Sequence, residues 1–275
     1  MLLDAARVLL PFVIAFAIGI SIAPILTHYL FKYKAWKKKG GKGKGLGDSR
    51  GTPLFDDLHR EREVSTPRMG GILIWASTII TVVFLWVIAT FFGEPFAGFD
   101  FVDRGQTWLP LVALLIGAGI GLLDDFLEIT QSTGGLSLKW RLMFVSLFGI
   151  VAGWWFYDKL DVSAVGIPFF GPFELGPLFI LFFWFVTIAI YASGVIDGID
   201  GLAGGIFGII FLAYAGIAFA QEQVALAAFA STVAGGIFAF LWFNVPPARF
   251  YMSETGSMAL TLALAVTAFS SDVLG

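Results

Sequence analysis

The stretch "YASGVIDGIDGLAGG" (Tyr191–Gly205) sets two aspartates, Asp197 and Asp200, between two of the greasiest runs in the chain. Upstream is "ILFFWFVTIAI" (Ile180–Ile190), and downstream is "IFGIIFLAYAGIAFA" (Ile206–Ala220). Runs of this kind, about 18–20 apolar residues with few charges, read as membrane-spanning helices. The acidic, glycine-rich segment between them then lies where two spans leave the bilayer. Backbone groups in lipid must be satisfied within their own element, so helices are the expected form. The alternating ten-residue pattern of a membrane barrel is absent from the sequence.

The rest of the chain agrees. It is 58% hydrophobic and 13% charged, with a mean hydropathy of +0.87, whereas soluble chains carry roughly 25% charged residues. Without cysteine, disulfides and thiolate chemistry are excluded. Apolar windows predict about eight spans, near Val8–Phe31, Gly70–Phe92, Trp108–Leu123, Trp140–Tyr157, Pro177–Ser193, Leu202–Ala220, Val224–Phe243 and Ser257–Phe269. The expected fold is an all-α, polytopic membrane helix bundle forming a single domain over residues 1–275. A Pro/Gly-punctuated segment, Asp158–Pro177, reads as a short turn or hairpin, and the Gly-Lys run Gly40–Gly47 as a solvated linker.

Of the 17 Lys and Arg residues, 11 lie between Phe31 and Gly70. By the positive-inside rule that loop is cytoplasmic, which puts the N-terminus outside. Lys139, Arg141 and Arg249 then also fall inside, and only Arg7, Arg104 and Lys159 outside. The same topology gathers the polar clusters on the cytoplasmic side, in loops expected at 32–69, 124–139, 194–201 and 244–256. Solvated helix ends or helix-dipole effects account for any one acidic pair. They account poorly for the recurrence of Asp124, Asp125, Asp197, Asp200 and Glu254, most with no cation beside them in sequence. Unpaired neighbouring carboxylates repel unless a cation relieves them. An oxygen-only donor set suits Mg2+, which brings substrate phosphates with it. The residues therefore suggest a membrane enzyme acting on a phosphorylated substrate.

The ordered motifs Thr66-Pro67-Arg68-Met69-Gly70-Gly71, Asp124-Asp125, Asp197-Gly198-Ile199-Asp200-Gly201-Leu202 and Leu241-Trp242-Phe243-Asn244, leading to Met252 and Thr255-Gly256-Ser257, carry a resemblance. Together they resemble the polyprenyl-phosphate N-acetylhexosamine-1-phosphate transferases, most closely the phospho-N-acetylmuramoyl-pentapeptide branch. The resemblance implies attack of a lipid phosphate oxygen on the sugar-proximal phosphate of a UDP-linked amino sugar, with release of UMP. For the closest branch this yields lipid I from undecaprenyl phosphate, in peptidoglycan synthesis at the bacterial inner (plasma) membrane. It implies Mg2+ as cofactor, held by Glu254 and Asp125, and Asp124, Asp125 and Asp200 as catalytic residues. It assigns Thr66, Asp197, Ile199, Asn244 and Tyr251 to the nucleotide pocket, with Lys139 and Arg141 as phosphate contacts. Expected partners are the UDP-sugar, the polyprenyl phosphate, membrane lipids and a second copy in a homodimer; nucleic acid is not expected.

The chain departs from the family pattern at Tyr191 and Gly194, where Asn-rich sequence is usual. Glu254 stands for Asp, Ser253 for Gly, and Glu128 for a common Lys. The family's last two spans and His-rich loop are missing after Gly275, and only His28 and His59 are present. A truncated or reduced variant is therefore expected. The alternatives are an N-acetylglucosamine-1-phosphate transferase, since "TPR" and "PPAR" occur in that branch too, an inactive relative, and a cation-coupled transporter. A transporter would hold its ionisable residues at mid-membrane, which the placement at span ends disfavours.

Overall fold

A computed structural model describes residues 2–36, 65–93, 96–102, 107–131, 135–167, 171–194, 197 and 199–271. The basic linker, with Gly40–Gly47 and His59, and Arg104 lie outside the described residues. Eight α-helices are present among those described: α1 (Leu2–Lys32), α2 (Ile72–Phe92), α3 (Trp108–Thr130), α4 (Leu138–Lys159), α5 (Leu178–Ser193), α6 (Leu202–Ala220), α7 (Val224–Asn244) and α8 (Ser253–Ser270). Between α4 and α5, strands β1 (Ala164–Ile167) and β2 (Gly171–Glu174) pair antiparallel as a hairpin, where one was expected. Six of the helices are long and apolar enough to cross a membrane. The protein is an all-α polytopic membrane protein.

Three boundaries differ from the sequence expectation by about four residues or more. Helix α1 begins at Leu2, and α3 continues past Leu123 to Thr130. Helix α8 begins at Ser253 rather than Ser257. Asp124, Asp125 and Glu254 are therefore helical residues, not loop residues. Hydropathy windows stop at the first carboxylate, but a helix continues wherever its polar side chains find partners within the fold.

The helices alternate in direction, so the ends of α1, α3, α5 and α7 and the starts of α2, α4, α6 and α8 share one end of the bundle. That end carries the polar motifs. Two apolar clusters fill the interior. One joins α1, α2, α6 and α7 with faces of α3 and α8. The other joins α3, α4, α5 and α8, and includes Phe156, Phe179, Phe183 and Phe269 around the far end of α8, with ring centroids of Phe183 and Phe269 4.3 Å apart. Outward-facing Leu9, Val83, Trp86, Leu147, Phe185 and Ile209 are exposed, as expected of side chains that face lipid.

Helix α8 is buried on almost every side. This explains how a helix rich in Ser and Thr holds its place: Thr261 and Thr267 donate to the carbonyls of Ser257 and Ala263 one turn back. Its closest neighbour is α3. A Cβ added at Gly117 would collide with the backbone of Met258 and Ala259, and one at Gly121 with the backbone of Glu254 and Thr255. This i, i+4 glycine edge allows helix backbones to approach closely without a water-driven term. A Cβ at Gly119, on another face, would meet nothing within 4 Å. Gly117→Val is expected to destabilise the detergent-solubilised protein by at least ~1–3 kcal/mol, whereas Gly119→Val stays within about 0.5 kcal/mol of the parent; thermal unfolding of the pair checks this.

Candidate functional site

The site grows from the glycine edge. Asp125 follows Gly121 by four residues and so shares its face of α3, which places a fully buried carboxylate against the first turn of α8. Oδ2 of Asp125 accepts hydrogen bonds from Ser253 Oγ (2.6 Å), Thr255 N (2.9 Å) and Thr255 Oγ1. The start of α8 thus supplies a ready set of donors, since first-turn N–H groups have no partner inside their own helix.

The segment 65–71 lies across this junction. Tyr251 N donates to Pro67 O and Gly70 N to Tyr251 O, both at 2.8 Å, and Gly71 N donates to Met252 O. Arg68 N also donates to Ala35 O, just beyond the end of α1. So pinned, Arg68 directs its guanidinium to Glu128 Oε2 (3.0 Å) and Asp125 Oδ1 (3.7 Å). Burial opposes its charge, but Asp125 and Glu128, with Asp197 and Glu254 further off, outweigh that and push its pKa above the ordinary value.

A second guanidinium closes the other side. Arg141, in the first turn of α4, binds Asp124 Oδ2 at 2.8 Å and Glu254 Oε1, and its Nε donates to Leu136 O. Asp124, fully buried, also accepts from Leu136 N through Oδ1. Ser257 Oγ donates to Glu254 Oε2 at 3.3 Å. Tyr191, near the end of α5, lies within electrostatic reach of Arg141 and Glu254. Most of these carboxylates have no cation beside them in sequence, and the packing of four segments supplies two: Arg68, and Arg141, which was expected as a phosphate contact and here pairs with Asp124 and Glu254.

The remaining predicted residues form a flanking layer at the same end. Asn244 is buried and ties three segments: Oδ1 accepts from Gly201 N and Nδ2 donates to Phe250 O, both at 2.9 Å. Gly201 has φ of 79°, a conformation glycine adopts freely, and it starts α6. Asp200 does not cap that helix; its Oδ2 accepts from Ala248 N at 3.1 Å in the α7–α8 loop. Thr66, Asp197 and Tyr251 are partly buried, while Ile199 and Lys139 are exposed. Lys139 is therefore not enclosed by the site, and Arg141, two residues on, is the cation within it. Sequence reading gave no role to Ser253, Glu128 or the side chain of Arg68. The only signals for them were their departures from the family pattern or their place inside a motif.

Among the described residues, no three His, Asp or Glu side chains stand close enough to hold a metal by themselves. The donors are nonetheless all oxygen. The ion-paired group of Asp124, Asp125, Glu128 and Glu254 with Arg68 and Arg141 carries a formal surplus of two negative charges. Among the described residues, none donates a hydrogen bond to Asp125 Oδ1. Such a set fits a hard divalent ion that takes one or two carboxylates and completes its shell with phosphate and water. It does not fit a closed cage.

Fold and site together define a multi-pass membrane enzyme with an acidic, arginine-braced centre at one end of the bundle. Residues 107–272 match the model of glycosyl transferase family 4, and the chain belongs to that family. Its class is that of the glycosyl-1-phosphate transferases. It is similar to proteins named phospho-N-acetylmuramoyl-pentapeptide-transferase from several bacteria. The relative in Listeria monocytogenes is 30% identical over 90% of this chain and 70% of its own length. That in Chloroflexus aggregans is 31% identical over 98% of this chain and 69% of its own. A third, in Bacillus cytotoxicus, is 30% identical over 93% and 72% respectively.

Removing Arg141 leaves Asp124 buried and uncompensated. Arg141→Gln is expected to cost roughly 3 kcal/mol in unfolding experiments, and adding Asp124→Asn to recover part of it. Equal losses in the single and double variants would contradict the pairing.

Proposed function

We propose that the protein transfers phospho-N-acetylmuramoyl-pentapeptide from UDP to undecaprenyl phosphate, giving lipid I and UMP. The observation that carries this reading is the meeting of Asp124, Asp125 and Glu254 with two guanidiniums at one end of an apolar bundle. A lipid phosphate reaches such a place from the bilayer, and a nucleotide sugar reaches it from water. The weight of Lys and Arg in residues 31–70 supports a cytoplasmic position for this end, at the bacterial inner membrane.

In the reaction, an oxygen of the lipid phosphate forms a bond to the sugar-proximal phosphorus as the bond to UMP breaks. Arg68 and Arg141 are fork-shaped donors suited to phosphate oxygens, and they neutralise charge on the diphosphate. Asp124 or Asp125 accepts a proton where the attacking phosphate still carries one. Asp200 holds the 245–251 loop, and with it Tyr251, whose ring is offered to the uracil face; Thr66, Asp197, Ile199 and Asn244 complete this nucleotide side. Glu254 and Asp125 would hold Mg2+, which would supply Lewis-acid stabilisation of the diphosphate and the leaving UMP.

Purified protein with undecaprenyl phosphate is expected to release UMP from UDP-N-acetylmuramoyl-pentapeptide and not from UDP-N-acetylglucosamine. EDTA stops the release and Mg2+ restores it. Asp125→Asn and Asp200→Asn each lower the rate about 100-fold or more. Turnover of the N-acetylglucosamine donor alone would move the assignment to the other branch, and full activity in both variants would end it.

A further inference from the structure

We propose that Ser253 is a positioning residue for this reaction: its hydroxyl, fixed by the N–H of Met69, clamps Oδ2 of Asp125 and leaves Oδ1 as the working oxygen. The inference rests on the transferase reading for its kinetic consequence, and on geometry alone for the clamp.

It starts from an oddity of the backbone. Ser253 has φ of 53° and Met69 has φ of 67°, a region that side chains other than glycine's enter at a cost. Where such strain is kept, the surroundings hold it, and functional sites are where it collects. These two residues are 184 apart in sequence and meet through one hydroxyl. Met69 N donates to Ser253 Oγ at 2.9 Å. A serine hydroxyl has one proton to give, and Met69 occupies its accepting side. Two acceptors are in range, Asp125 Oδ2 at 2.6 Å and Met252 O at 2.8 Å; the ionised carboxylate is the stronger.

The clamp decides what Asp125 presents. With Thr255 N and Thr255 Oγ1 also on Oδ2, that oxygen has three donors. Oδ1, equally buried, has none among the described residues, and Arg68 Nε lies 3.7 Å from it. A carboxylate held this way cannot rotate its two oxygens into each other's places without breaking three bonds. The lone pairs of Oδ1 therefore stay directed at the site. Glycine in place of Ser253 satisfies the backbone better and supplies no clamp. The serine is thus explained by its hydroxyl and not by the turn.

Ser253→Gly and Ser253→Ala separate the two roles. The glycine variant should unfold at or above the parent temperature, because it relieves the backbone, and the alanine variant should not. Both should lose kcat by roughly tenfold or more, the worth of one hydrogen bond to a charged group, with KM for the nucleotide sugar unchanged. Parental kcat in Ser253→Gly, or a loss of kcat that tracks thermal stability across the two variants, overturns the proposal. If the parent protein itself turns over neither UDP-sugar, the transferase reading fails, and the clamp is judged by unfolding alone. Ser253→Ala combined with Asp125→Asn should then cost less than the sum of the single changes; strict additivity rejects the clamp.

Discussion

The contact between α3 and α8 is the constraint on which the site depends. Without side chains at Gly117 and Gly121, the two helices approach backbone to backbone. That brings the donors at the start of α8 within reach of a carboxylate one turn further along α3. A buried carboxylate is costly unless it is hydrogen-bonded and paired, so a few tenths of an ångström of extra separation there would leave Asp125 without its three donors. Gly71 and Gly256 repeat the device between the 65–71 segment and α8, and that second approach delivers Arg68. The small residues are conditions for the charges, not a separate packing feature.

The charges themselves argue against transport. Arg68 belongs to a loop, Asp124, Asp125 and Glu128 to the last turns of α3, Arg141 to the first turn of α4, and Glu254 to the first turn of α8. None sits midway along a span, and α3 and α8 run unbroken through the apolar interior. A coupled transporter needs its ionisable groups near the centre, commonly at interrupted helices. A centre at the bundle end can instead meet one substrate in lipid and another in water, which suits a transferase.

Much of this could be read from sequence, because membrane spans announce themselves. Each of the eight apolar runs corresponds to a helix, and the Pro/Gly-rich segment after α4 to a hairpin. The gathering of Asp124, Asp125 and Glu254 at one end follows from counting alternating spans. The ion pairs could not be read. Arg141 to Glu254 spans 113 residues, and Arg68 to Glu128 joins a loop to a helix; such partnerships arise from tertiary packing that no local pattern encodes. Lys139 and Arg141 are alike in the sequence pattern as cations after the acidic pair, and only helical geometry separates them, leaving Lys139 exposed and Arg141 half-buried within the site. Helix ends differ from expectation for a related reason: hydropathy sees a carboxylate as an exit from the membrane, whereas Asp124 and Asp125 find hydrogen bonds and ion pairs inside the fold and the helix carries on.

Helix α8 joins core and chemistry in one element. Its far end is locked by Phe269, which packs among Phe156, Phe179 and Phe183, and its middle is buried throughout. Its first turn holds Ser253, Glu254 and Thr255, every one of them bonded to a residue of another element. A rigid helix fixed at one end transmits its position to the other, because packed interiors tolerate little displacement. The strained backbone at Ser253 and Met69 is sustainable for the same reason. Apolar packing along the whole length of α8 opposes the small relaxation that would relieve the two residues and, in relieving them, release the carboxylate between them.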